Sequence, residues 1–197
     1  RRRVVKKVAL GDIMGISAYE NNRDAFLKRI IELKKKRRIA VGDKVSLVFE
    51  NRDTVIFQIQ EMIRAEKITD LDKIREEIDV YNSFIPEPGE LSATLFLEIE
   101  EQSRLREQLL EFLGIDEAVF LKIGNRHSVH ASFEQGYSKE DKISAVQYVK
   151  FPLDPDAQRA FVGGKEDVSL LIDHPHYRAE TKIDPETRKS LIEDLTA

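Results

Sequence analysis

The chain has 197 residues, of which 41% are hydrophobic and 35% charged, with a formal net charge of −4. That length fits one large domain, and the apolar share is enough to bury a sizeable core. It contains no cysteine, which excludes disulfides, Cys-ligated zinc and thiolate-held iron–sulfur clusters within this chain.

Residues 19–38 read as a helix: Phe26, Ile30 and Leu33 follow the i, i+4, i+7 spacing, with Leu27 and Ile31 beside them. Its last turns carry Lys34, Lys35, Lys36, Arg37 and Arg38, cations that complement the negative end of a helix dipole. Gly42 and Asp43 mark a turn, and residues 45–50 alternate as a strand. Asn51 or Asp53 is placed to cap a second helix running to residue 68, and a shorter helix follows at 70–83. The Pro-Glu-Pro-Gly of residues 86–89 breaks the chain there.

Residues 91–99 give the cleanest strand, with Leu91, Ala93, Leu95, Leu97 and Ile99 on one face. An amphipathic helix at 101–113 ends at Gly114. Strands at 118–124 and 127–134 flank Gly124, Asn125 and Arg126, a hairpin signal. A strand at 144–151 stops at Pro152, and a helix at 155–162 ends at Gly163 and Gly164. Strands at 167–173 and 177–183 follow, and Asp184-Pro185 opens a closing helix at 185–195. Hairpin signals without strict strand–helix alternation predict an α+β fold: a mainly antiparallel, curved sheet, sandwich- or barrel-like, flanked by helices. Residues 1–197 read as a single domain, in which 1–40 is a basic helical N-terminal segment and 41–197 the α+β body.

Charge is unevenly placed. Residues 1–38 hold 13 Lys/Arg and 4 Asp/Glu, a balance of +9, while the remainder holds 19 and 32, a balance of −13. The basic run at 34–38 has no interleaved aromatic residues to stack bases, which argues against a nucleic-acid partner. No apolar run approaches the ~20 residues of a membrane span, and no signal core follows the basic start. The expectation is a cytoplasmic protein with no membrane partner.

The densest polar cluster, Glu50-Asn51-Arg52-Asp53-Thr54, falls at a strand-to-helix junction, where unpaired backbone N–H groups favour anions and Arg52 adds a bidentate donor. In the helix that follows, Val55, Ile59, Met62 and Ile63 form the core stripe, and Glu66 falls in the middle of it. A carboxylate there must be paired, protonated or near enough to the helix end to reach water. Gln58 and Glu61 share a second stripe, with Arg64 close to Glu61 and with Arg52 and Arg64 as candidate counter-ions. His130, Ser132 and Glu134 share one strand face but spread along it, too far apart for a triad. His174 and His176 sit i, i+2 with Glu180 after them, a spacing that can converge on a metal. That string also resembles the first metal motif of cupins, though Pro175 interrupts it and no later histidine supplies a second motif. There is no intrinsic cofactor motif, and a metal ion is the cofactor these residues would accept.

Four strings carry a wider likeness: residues 48–68 (VFENRDTVIFQIQEMIRAEKI), 90–98 (ELSATLFLE), 142–151 (KISAVQYVKF) and 172–177 (IDHPHY). Together they resemble the bacterial family of unknown function DUF3501. Within and between those strings the matching polar positions are Glu50, Asn51, Arg52, Gln58, Glu61, Arg64, Glu66, Tyr81, Asn82, Gln147, Tyr148, Asp173 and His174. Members of that family are encoded near rubrerythrin-like proteins and iron–sulfur oxidoreductases. The resemblance therefore implies, by association, an accessory or partner role in an iron/peroxide redox system. The rival reading is a metal- or anion-dependent enzyme or ligand-binding protein. It predicts that Glu50, Arg52, Glu61, Glu66 and His174 converge on one pocket.

Overall fold

A computed structural model describes residues 6–134 and 144–196. Residues 1–3 of the basic end and residues 142–143 of the third string lie outside the described residues.

A 3-10 turn at Leu10–Asp12 leads into helix α1 (Ile16–Lys35). Strands β1 (Arg38–Val41) and β2 (Val45–Phe49) form a hairpin, followed by α2 (Arg52–Glu66) and α3 (Leu71–Asn82). Then come β3 (Glu90–Leu97), the short α4 (Leu105–Leu110), β4 (Val119–Ile123), β5 (His127–His130) and β6 (Ser132–Phe133). The chain finishes with β7 (Val146–Pro152), α5 (Pro155–Gly163), β8 (Val168–His174), β9 (Tyr177–Lys182) and α6 (Pro185–Thr196).

The strands build two antiparallel sheets, ordered β1-β2-β3-β7-β6 and β5-β4-β8-β9. The expected antiparallel sheet flanked by helices is present, but as two sheets with open edges rather than a closed barrel. The single strand expected at 127–134 is divided. Ala131 is buried and its N–H donates to the Val119 carbonyl (2.9 Å), so β5 stays in the four-stranded sheet while β6 crosses to the other.

Each sheet turns one face to a shared core. Leu47, Leu91, Leu95 and Phe151 meet Leu121, Leu170 and Ile172 there, and Phe161, Leu191 and Leu195 from α5 and α6 join them. Each such side chain contributes about 1.5–3 kcal/mol by leaving water. Period-2 alternation puts Ser92, Thr94, Tyr148 and Lys150 on the opposite face of the larger sheet. A second, smaller core lies on that side: Val55, Ile59 and Ile63 of α2 pack with Ile78 and Tyr81 of α3 and with Phe84, while Tyr148 packs against the cluster from β7.

Two joints tie these layers together. The Tyr177 hydroxyl donates to the Val41 carbonyl (2.6 Å) and accepts from the Lys44 N–H (3.0 Å), so β9 of one sheet closes the β1–β2 turn of the other. Gly42 sits in that turn at φ +75°, where a Cβ would run into the Tyr177 hydroxyl. The second joint revises the expected end of the first helix. α1 stops at Lys35, and residues 38–41 pair with β2, because Arg37 turns inward instead of facing solvent. Its guanidinium, 1% exposed, donates to the carbonyls of Phe49 (2.8 Å) and Glu50 (3.1 Å), to the Ser190 hydroxyl (3.0 Å) and to the Asp194 carboxylate of α6.

Candidate functional site

At the junction after β2, Asn51 is the N-cap of α2. Its side-chain oxygen accepts from the Thr54 N–H (3.0 Å), and the Thr54 hydroxyl accepts from the Asn51 N–H (3.0 Å), a reciprocal cap. Glu50 is half-buried and accepts from the Thr54 hydroxyl and from Thr94 on β3 (2.8 Å). Arg52 lies with Nη2 2.9 Å from Asp12 Oδ2, an ion-pair distance, but the geometry is not that of a hydrogen bond. Its Nε and Nη2 are buried without an acceptor. The distance establishes charge attraction; the missing angle leaves the two nitrogens without a hydrogen bond. Asp12 Oδ2 also accepts from the Ala9 N–H (2.8 Å), which, with Arg52, holds its carboxyl below the usual range.

Glu61 is the centre of the α1–α2 seam. Arg23 grips it bidentately, Nη2 to Oε1 at 2.7 Å and Nε to Oε2 at 3.1 Å, and the Tyr19 hydroxyl donates to Oε2 (3.0 Å). The Arg23 hydrogen bonds hold the Glu61 carboxyl below its ordinary value against the opposing effect of burial. Tyr19 is fully buried; burial first, and the Glu61 carboxylate second, push its phenol up to about 12. At neutral pH this is an ionised acceptor held by two donors, so neither Glu61 nor Tyr19 is poised as a general base. Arg64, one of the two expected counter-ions of Glu61, pairs instead with Glu20 (2.5 Å). The other, Arg52, faces Asp12.

The remaining candidates separate. Gln58 is exposed; two residues on, about half a turn round the helix, Gln60 is the buried glutamine, bonded to both the N–H (2.7 Å) and the carbonyl (3.1 Å) of Met14. Glu66 is the last residue of α2 and is exposed, so the helix end resolves the apparent conflict with the core stripe. Tyr81 meets Phe84 edge-on at 5.6 Å, and Phe84 stacks on Tyr148 at 4.1 Å, joining α3 to β7. Gln147 points to the inner side of the larger sheet and its Nε2 donates to the Ser144 carbonyl (2.8 Å). Asn82 clamps the N-terminal segment, accepting from the Val8 N–H (2.8 Å) and donating to the Val8 carbonyl (3.0 Å).

The metal candidates do not assemble. His174 is buried, and both its ring nitrogens are committed. Nδ1 accepts from the His176 N–H (3.1 Å), which leaves the proton on Nε2, and Nε2 donates to the Leu113 carbonyl (2.6 Å). The β8–β9 register pairs His174 with Tyr177 and Leu171 with Glu180, which places His174 on the inner face and Glu180 on the outer. Glu180 there accepts from Ser169 (2.9 Å) and Lys122 (3.3 Å), while His176 is exposed in the turn. Among the described residues no three of His, Asp and Glu are grouped to hold a metal ion. Nor do Glu50, Arg52, Glu61, Glu66 and His174 share a pocket, since each has its own local partner or faces solvent.

The basic run is likewise dispersed. Lys34 lies over Phe57 (5.5 Å), Lys35 pairs with Glu32 (2.7 Å), Lys36 with Glu186 (3.6 Å), and Arg38 lies over Phe96 (5.6 Å). Tyr19 and Arg23, the partners of Glu61, were not singled out by the sequence reading. They extend the Phe26–Ile30 stripe one and two turns toward the N-terminus, which is the signal that marks them.

Two antiparallel sheets on a common core, with α2 and α3 packed on the larger sheet through a second apolar core and α1 joined to α2 by a polar seam, define an α+β protein. Among the described residues no helix is long and apolar enough to cross a membrane. The chain belongs to the DUF3501 family, described as a protein of unknown function, which matches residues 7–195. It is similar to the crystal structure of a novel protein of unknown function from Burkholderia pseudomallei K96243, at 32% identity and a TM-score of 0.90, over 96% of this chain and 100% of that one. No curated protein matches it.

Proposed function

We propose that this chain is a cytoplasmic, non-catalytic accessory protein of an iron/peroxide redox system, acting by docking to a partner that holds the reactive centre. The observation that supports it best is the state of Glu61. Both of its oxygens are committed to Tyr19 and Arg23, and the neighbouring ion pairs Arg64–Glu20 and Arg52–Asp12 tie the same three segments together. These side chains serve to position helices on a sheet, which leaves function to the surface. The iron/peroxide setting is supported by the family resemblance and by the rubrerythrin-like and iron–sulfur neighbours it implies. Because the chain has no cysteine, any thiolate-held cluster would belong to the partner.

Co-expression of the untagged chain with a rubrerythrin-like protein and an iron–sulfur oxidoreductase tests this reading. Co-elution with either on gel filtration is the expected outcome. A chain that elutes alone beside both would count decisively against it.

A further inference from the structure

A cleft of about 420 Å³ opens between α1, the N-terminal half of α2 and the 3-10 turn. Its volume is within the roughly 300–1,000 Å³ typical of small-ligand sites. Phe26, Ile30 and Leu33 of α1 and Ile56 of α2 form an apolar lining. Ile30 is buried, but Phe26, Leu33 and Ile56 are only half-buried, so apolar surface stays in contact with water. Burying that surface under an apolar group is favourable at about 25 cal/mol per Å².

Three charged groups stand around this lining. Asp12 is already committed to Arg52 and to the Ala9 N–H. Arg29 lies over the Phe26 ring at 4.5 Å, and Asp53 is exposed in the first turn of α2. Among the described residues neither Arg29 nor Asp53 has an ion-pair partner. The cleft therefore offers one cation held only over an aromatic ring and one anion, neither of them in an ion pair among the described residues, at the margin of an apolar floor. Beside it, Arg52 has two buried nitrogens, Nε and Nη2, that make no hydrogen bond although Nη2 lies at ion-pair distance from Asp12, and a polar group or water held there would satisfy them.

We infer that this cleft binds a small zwitterion with an apolar side chain, an α-amino acid of the leucine or phenylalanine class, its carboxylate on Arg29, its ammonium on Asp53 and its side chain on Phe26, Ile30, Leu33 and Ile56. A simple carboxylate would bring its charge toward Asp53 without a compensating ammonium. A simple amine would do the same toward Arg29. The paired charges thus select by repulsion as well as attraction. This site is independent of partner docking, and its failure would leave the accessory reading untouched.

Titration of the 15N-labelled chain with L-leucine and L-phenylalanine tests it, against L-leucinamide, which lacks the carboxylate, and 4-methylpentanoate, which lacks the ammonium. The amino acids are expected to shift the amide resonances of Phe26, Ile30, Leu33 and Ile56 and to bind about tenfold more tightly than either analogue. Arg29→Gln should erase the preference over leucinamide, and Asp53→Asn the preference over 4-methylpentanoate. Both side chains are exposed, so these variants keep the native spectrum elsewhere. Absence of binding at the solubility limit, shifts centred on another surface, or unchanged preferences in both variants would overturn the assignment.

Discussion

Replacing Asp194 by Ala should be among the most damaging single changes to this fold. Asp194 is 6% exposed at its side chain and is, among the described residues, the one carboxylate paired with Arg37, itself 1% exposed. Its removal leaves a buried guanidinium that cannot shed its proton, with only neutral carbonyls and a hydroxyl around it. Breaking a buried pair in this way costs about 3–5 kcal/mol. Against a total stability of about 5–15 kcal/mol, that is a large fraction. The reciprocal change, Arg37→Met, leaves a carboxyl that can neutralise itself. Burial already pushes the Asp194 carboxyl above its ordinary value, outweighing the Arg37 charge that pulls it down. A carboxyl whose folded pKa exceeds its unfolded one stabilises the fold at low pH, and that contribution is lost as pH rises through the folded pKa. Arg37→Met should therefore lose stability from acid to neutral pH more steeply than wild type, while Asp194→Ala lacks this carboxyl's titration altogether, so its deficit relative to wild type should narrow as pH rises. The double change Arg37→Met with Asp194→Leu should recover most of the loss. Urea denaturation across that pH range reads all three. A cost below about 1 kcal/mol for Asp194→Ala, together with a double variant no better than the single, would refute the reasoning.

Four further outcomes follow from the same geometry. Glu61→Gln should cost about 1.5–3 kcal/mol, the range of hydrogen bonds to a charged group. Because the Glu61 pKa is lowered on folding, its contribution is present above the ordinary carboxylate range and lost as pH falls through the folded value, so the deficit of the variant in urea melts should shrink on acidification. Tyr177→Phe removes one hydroxyl that serves both Val41 and Lys44 and should lower stability by about 1–2 kcal/mol, read as a fall in Tm; Gly42→Ala should do comparable harm through its left-handed backbone and the collision with that hydroxyl. Long-range 1H–15N spectra should show His174 as the Nε2–H tautomer, with no line broadening at His174 on adding Mn2+ or Co2+; an Nδ1–H tautomer or selective broadening there would contradict the two backbone bonds.

Local chemistry was well written in the sequence. The alternation of β3, the Asn51 cap and the turn at Gly124 each depend on neighbours a few residues away, and each stands where pattern placed it. Two of the failures involve long-range pairing, and the helix expected at 101–113 is regular only over Leu105–Leu110, after a 3-10 turn at Gln102–Arg104. Arg37 looks like part of a solvated helix end, because its true counter-ion is 157 residues later in the chain. That one inward turn converts the helix tail into the edge strand β1. The strand at 127–134 reads as continuous, since nothing local says that Ala131 will be shared between two sheets. Glu66 and Gln58 show a different limit: a helical wheel gives direction, but where the helix ends and which phase its neighbours cover decide exposure. His174 and Glu180 are close in sequence, yet the hairpin register sets them on opposite faces.

The central claim is that the polar groups of the 50–66 segment position helices and that function resides in docking. The most direct measurement is the affinity of folded Glu61→Gln for the partner recovered by co-elution, taken at a temperature where its circular dichroism matches wild type. An affinity equal to that of wild type is predicted. A marked loss of binding, or of the partner's peroxide turnover, with the fold intact would place Glu61 in the working site and contradict the account.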